Sequence, residues 1–163
     1  MLAAPGRTAQ RRKRSGRTAS TVSKRRGGGS FLDVGPFGGG TVSLTGPLLS
    51  ATDSAVTLSA DAIGISSGSF TANLASDSLI KLTANTTKTS TLTVNNGALL
   101  SVTNGGTIVI PTGNLFSLAS TGTGVSTLSI ANGALVTVSG GSTFTLNSGS
   151  LGSLSGTGTN TLA

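Results

Sequence analysis

A 36-residue unit returns almost intact in this chain: STLTVNNGALLSV from Ser90 comes back as STLSIANGALVTV from Ser126, and seventeen of the 36 aligned positions between residues 90–125 and 126–161 are identical. A fixed period of about 20–50 residues constrains a fold strongly, because each unit can bury its apolar stripe only on the next, which gives a solenoid or array. The repeat continues upstream in weaker form. Val56 and Leu58 sit 36 residues before Leu92 and Val94, which precede Leu128 and Ile130 by the same step. Leu79 and Leu82 precede Leu115 and Leu118, which precede Leu151 and Leu154. Three units follow: 54–89, 90–125 and 126–161.

Each of the last two units also has an internal echo. Leu92, Val94, Gly97, Leu99 and Val102 reappear at one constant, shorter offset as Ile108, Ile110, Gly113, Leu115 and Leu118, and Leu128, Ile130, Gly133, Leu135 and Val138 map likewise onto Phe144, Leu146, Gly149, Leu151 and Leu154. The echo predicts two turns per repeat unit, each about half the unit in length. Within a turn, apolar residues alternate with Ser and Thr over short stretches such as LTV and TVS, which is the period-two signal of a half-buried strand. Asn96-Gly97, Asn104-Gly105 and Asn132-Gly133 are turn dipeptides, since Asn and Gly tolerate positive φ, and their recurrence at coil spacing points to solenoid corners. No stretch carries a helical stripe. Aromatics at 3% and 25 glycines disfavour a large globular core, whereas Val, Ile, Leu and Ala fill a narrow lumen well. The predicted fold is all-β: a β-solenoid of six or seven turns, each rising ~4.8 Å, for a rod on the order of 30 Å.

Charge divides the chain in two. Residues 1–26 carry Arg7, Arg11, Arg12, Lys13, Arg14, Arg17, Lys24, Arg25 and Arg26 with no acid, whereas the rest has Lys81 and Lys88 against Asp33, Asp53, Asp61 and Asp77. So basic and apolar-poor a segment cannot offset the entropy of ordering, and residues 1–29 are expected to form a disordered Arg/Lys-rich arm. Gly27 to Gly29 make a joint after it, 30–53 reads as a Gly-rich linker with the first strands, and 54–163 as the solenoid. Nine cations suit the phosphates of a nucleic acid or another polyanion, with counterion release on binding. Anionic lipid is the other candidate, but the arm has no aromatic residue to stack on bases or insert in a bilayer. A solvated tail without a specific role and a mis-assigned start codon stay open beside the polyanion-binding arm. RRKR at 11–14 also matches nuclear-localisation and dibasic-cleavage strings.

Catalysis has little to work with. His, Cys, Tyr, Trp and Glu are absent, so acid–base chemistry would rest on four Asp, Lys81 and Lys88. Asp53, Asp61 and Asp77 are spread along the chain and read as corner residues. Ser and Thr abound without a base to activate them, and no GxxxxGK[ST] phosphate loop or GGxGxD calcium nonapeptide occurs. The expectation is a protein that is not an enzyme and uses no cofactor or metal. The single sequon, Asn85-Thr86-Thr87, is at chance level. Ice binding by a flat Thr face would have only the Thr-Gly-Thr triplets at 121–123 and 157–159 behind it, and these read as turns. Neither an apolar signal segment at the start nor a 20-residue apolar span is visible, so no export signal and no transmembrane helix is expected.

Units such as STLTVNNGALLSV and STLSIANGALVTV resemble the strand repeats of bacterial autotransporter passengers and filamentous adhesins, and similar strings occur in β-helical phage and large-virus fibres. The resemblance covers about 108 of the 163 residues, as a pattern without a diagnostic motif. It implies a rod that displays surfaces for adhesion or assembly and has no catalytic residues to carry over. An autotransporter would add an export signal and a membrane barrel, which are not seen here. Thr161-Leu162 match Thr127-Leu128 with a two-residue slip, so a fourth unit begins just as the sequence stops, without a visible cap. Either the sequence is truncated, or the open end binds other copies or other structural proteins. Two function classes follow, with a virion or cell-surface location: a virion fibre or minor capsid-type assembly component anchored by its basic arm, and a fragment of an exported adhesin or autotransporter passenger.

Overall fold

The computed structural model describes residues 30–35 and 39–163, and among these there are strands and turns but no helix. The strands form four rungs. The first holds β1 (Leu32–Val34), β2 (Thr41–Thr45), β3 (Leu49–Thr52) and β4 (Ala55–Leu58), and the second β5 (Ile63–Ser66), β6 (Ser69–Ala84) and β7 (Thr89–Val94). The third holds β8 (Leu100–Thr103), β9 (Thr107–Ser120) and β10 (Val125–Ile130). The fourth holds β11 (Val136–Val138), β12 (Thr143–Ser148), β13 (Gly152–Gly156) and β14 (Thr159–Leu162).

All pairings are parallel and join each strand to its counterpart one rung on, which makes the molecule a β-solenoid. One sheet runs β1-β5-β8-β11 and a second β4-β7-β10-β14. The third runs β2-β6-β9-β12, with β3 on the far half of β6 and β13 on the far half of β9. The repeat period is the coil itself: Ser126 lies beside Ser90, Val136 beside Leu100, and Thr143 beside Thr107.

The expected six or seven half-length turns do not form. The chain makes three complete turns from β1 to β11 and most of a fourth, and four strands at ~4.8 Å spacing give a stack of roughly 15–20 Å, about half the expected rod. The cause is the short internal echo. Leu92 and Val94 lie on β7, and Ile108 and Ile110 on the near half of β9, so the echo relates two faces of one turn. Both faces point aliphatic residues at the same lumen and therefore carry the same alternation.

The corners explain where glycine is needed. In β9 the strand bends at Gly113, whose φ is +89°, and a Cβ there would collide with the Asp77 carbonyl of the turn below. Gly149 sits over Gly113 in the next turn, again with no room for a side chain. In β6 the same bend is made by Ala75 at φ +56°, with a shift of register between Asn73 and Ser78.

Inward positions form columns along the stack. Ile63, Leu100 and Val136 follow Leu32 in the first sheet, Leu92, Leu128 and Leu162 follow Val56 in the second, and Leu82, Leu118 and Leu154 follow Ala51 in the third. Apart from the exposed Leu154 and Leu162, these columns join one apolar core that also holds Phe70 and Phe116. Burial of such side chains at about 1.5–3 kcal/mol each is the main stabilising term in a protein without disulfides.

Candidate functional site

Arg7, Arg11, Arg12, Lys13, Arg14, Arg17, Lys24, Arg25 and Arg26 lie outside the described residues, as do Gly27 to Gly29. The surfaces open to description are therefore the corners, the outer faces of the sheets and the edge of the fourth rung.

Asp53, Asp61 and Asp77 sit at corners, and the first two tie one turn to the next. At the corner after β3, Asp53 adopts φ +53° and accepts hydrogen bonds from the backbone N–H of Asn85 and from its side-chain amide, both at 2.8 Å. These two bonds, backbone first, together with the nearby Lys88 ammonium, outweigh desolvation and hold the Asp53 carboxyl below its ordinary range. Asp61, before β5, accepts from the buried Ala98 N–H at 2.6 Å. Asp77, in the bend of β6, accepts from the Ser78 N–H at 2.9 Å and faces the Lys81 ammonium at 3.2 Å. Their partners are backbone N–H groups, the Asn85 side-chain amide and the Lys81 ammonium. Among the described residues no group of three or more metal-ligating side chains comes together.

Outward positions form columns too. On the second sheet Ala55, Thr91, Thr127 and Thr161 stand side by side in successive rungs, next to a column of Thr57, Thr93 and Ser129. On the third sheet Thr41, Ser69, Thr107 and Thr143 are aligned in the same way. These columns are uncharged arrays of hydroxyls and methyls, and the charged pair Lys81–Asp77 lies further along β6. Of the Thr-Gly-Thr triplets, 121–123 is a turn and Thr157 occupies a bend, where its hydroxyl accepts from the Gly122 N–H at 2.9 Å, whereas Thr159 begins β14 on the second sheet.

Period-two reading places every Ser and Thr outside, and misses four serines that are buried, Ser78, Ser90, Ser120 and Ser126. Ser90, Ser120 and Ser126 are fully buried. Ser90 Oγ donates to the Ala51 carbonyl at 3.0 Å, Ser126 Oγ to the Ala119 carbonyl at 2.7 Å, and Ser120 Oγ to Asn160 Oδ1 at 3.1 Å. They satisfy acceptors exposed to the lumen where the strand turns a corner. The clue is present in the sequence: Ser90 and Ser126 occupy the same repeat position, one residue before an outward Thr.

The fourth rung differs from the others in exposure. Val138, Leu151, Leu154 and Leu162 are all between 44% and 53% exposed, although their counterparts one rung earlier, Val102, Leu115, Leu118 and Leu128, are fully buried. The geometry thus defines a class, a parallel β-solenoid with an apolar core, hydroxyl columns on its outer faces and an apolar edge on the fourth rung. Comparison with protein-family models, with curated protein sequences and with solved structures finds no significant match. No helix among the described residues is long and apolar enough to cross a membrane.

Proposed function

We propose that this chain is a non-enzymatic structural rod, a virion fibre or minor capsid-type assembly component, whose basic arm anchors to nucleic acid or another polyanion while the solenoid projects or spaces. The use made of Asp53, Asp61 and Asp77 carries the non-enzymatic part. Asp53 and Asp61 bracket successive turns and Asp77 pairs with Lys81, so the bonds of all three go to amide donors or a lysine and not to a second acid or a hydroxyl. The anchoring part rests on the nine cations of residues 1–26.

The test replaces Arg7, Arg11, Arg12, Lys13, Arg14, Arg17, Lys24, Arg25 and Arg26 with Gln in the full chain and follows binding to duplex DNA against salt. The native chain is expected to bind with a log–log slope of about −0.9 for each phosphate engaged, and the neutralised chain not to bind. Equal binding by both chains sinks the anchoring role.

The uncharged hydroxyl columns favour a second reading, an exported adhesin or autotransporter passenger that displays broad faces at the cell surface. On that reading the arm-neutralised chain still binds cells or extracellular matrix, and an inert chain counts against it. Both readings assign the same use to the fourth rung's edge, contact with a second copy. The three sheets present a first-rung edge at one end and a fourth-rung edge at the other, so head-to-tail stacking would continue all three at once. Sedimentation that stays monomeric across a wide concentration range would refute that contact.

A further inference from the structure

Charge is confined to the first two rungs of the solenoid. Asp33, Asp53, Asp61, Asp77, Lys81 and Lys88 all precede β7, and residues 89–163 hold no charged side chain. Two of the four acids have a cation beside them. Asp77 faces the Lys81 ammonium at 3.2 Å, and Lys88 lies close enough to Asp53 to act on its carboxyl. Asp33 and Asp61 have no such partner among the described residues. Asp61 uses only Oδ1, for the Ala98 N–H.

These two carboxylates flank the place where the chain enters the coil. The Leu32 N–H donates to the Ala62 carbonyl at 3.0 Å, and Leu32 pairs with Ile63. That register sets Asp61 just before the entry on the second rung and Asp33 just after it on the first. Ser30 Oγ and Asp33 Oδ1 each come within 3.5 Å of the space that a Cβ on Gly64 would occupy, so the glycine leaves room for both. Upstream of Ser30 the sequence reads Lys24-Arg25-Arg26 and then Gly27 to Gly29. Arg26 can stand at most ~13 Å from Ser30 along an extended backbone, and consecutive glycines reverse direction without a side-chain clash.

We infer that Lys24-Arg25-Arg26 clasps the entry corner of its own solenoid, with its cations paired to the carboxylates of Asp33 and Asp61. The charges are complementary: two acids without a cation of their own lie at the corner, and three cations stand at the end of a short tether leading to it. The tether makes the encounter intramolecular, and arginine forks match carboxylates with paired hydrogen bonds. The clasp divides the basic arm in function. Arg7, Arg11, Arg12, Lys13, Arg14 and Arg17 stay open to another partner, while the run next to the glycines is held. The clasp does not rest on the polyanion role proposed above. Where both operate, a phosphate chain gains the last three cations only by displacing both carboxylates.

The experiment treats the full chain, at a concentration where it sediments as a monomer, with a water-soluble carbodiimide, which joins a lysine amine to a carboxylate in contact with it. Peptide mapping then identifies the links. Lys13, Lys24, Lys81 and Lys88 are the only lysines, and the Lys81–Asp77 pair serves as an internal control. Lys24 is expected to link to Asp33 or Asp61 in preference to Asp53. Replacing Arg25 and Arg26 with Gln leaves Lys24 in place and is expected to lower that link about three- to tenfold, the combined weight of two exposed ion pairs. A Lys81–Asp77 link without one from Lys24 to Asp33 or Asp61 overturns the clasp. So does a Lys24 link spread evenly over Asp53 as well, or one whose yield is unchanged in the Gln variant. In a mixture of isotopically labelled and unlabelled chains the link is expected within single chains, and links between chains overturn the assignment in favour of a second copy. No polyanion is present, so failure of the clasp leaves the anchoring role to its own test.

Discussion

Leu82, Leu118 and Leu154 occupy one inward column, in register through β6, β9 and β13, so a single substitution can be made three times in one chemical context. Leu82 and Leu118 are completely buried, and Leu154 is 53% exposed. Leu118→Ala removes a side chain with a turn on either side and leaves a cavity that the rigid stack cannot close, at a cost of about 3–5 kcal/mol. Leu82→Ala should cost nearly the same. Leu154→Ala removes a side chain that has buried only half its surface, and water fills the space. Half of the ~1.5–3 kcal/mol for full burial leaves about 1 kcal/mol. The difference of at least ~2 kcal/mol corresponds to a urea midpoint lower by roughly 1 M for the inner variants, at a slope of about 2 kcal/mol per M. Urea unfolding followed by circular dichroism, at a dilution where the chain is monomeric, measures it. An equal loss at all three positions would refute the exposed fourth rung, and a small loss at Leu118 would refute the enclosed lumen.

Asp61→Ala strips the acceptor from the buried Ala98 N–H and is expected to destabilise by about 1–3 kcal/mol, while Asp61→Asn, which keeps an oxygen in place, should cost less, both by thermal unfolding. Asp53 has a folded-state pKa below its unfolded value, so its contribution is present above the ordinary aspartate range and is lost as pH falls through the lowered value. Stability measured against acid pH should therefore fall less steeply in Asp53→Asn, and identical profiles would remove Asp53 from the acid response. Gly113→Ala meets both a positive φ and the Asp77 carbonyl, and should cost ~3 kcal/mol or more. Gly105→Ala, at φ +77° with open space around it, should cost only ~1–2 kcal/mol by the same denaturant assay.

The period of the repeat was legible because it is a property of neighbours in space: Ser126 beside Ser90 is both an identity and a ladder pair. The circumference was misread because alternation records only that a side chain faces the lumen, and Leu92 and Ile108 face it from different sheets. Distinguishing two faces of one turn from two turns requires the pairing partner, which the period itself supplied and the shorter echo obscured. The corner positions of Asp53, Asp61 and Asp77 could be anticipated from their spacing, but the bracket role of Asp61 could not. Its partner is a main-chain N–H 37 residues away, and backbone donors look alike in any sequence. The exposure of Leu154 was equally hidden, since its letter matches that of the buried Leu118.

Partners in the ladders are not a constant distance apart along the chain. Val42 lies over Phe70, Leu32 over Ile63, Ile63 over Leu100, and Thr127 over Thr161, and no two of these pairs share the same separation in sequence. The strands keep their register while the corners absorb the difference. For a gene that encodes such a coil, unequal crossing-over between repeats would add or remove a whole period in frame, and small insertions at a corner would be absorbed without displacing a strand. Length would then be an inherited copy number, free to drift between lineages while the cross-section stays the same.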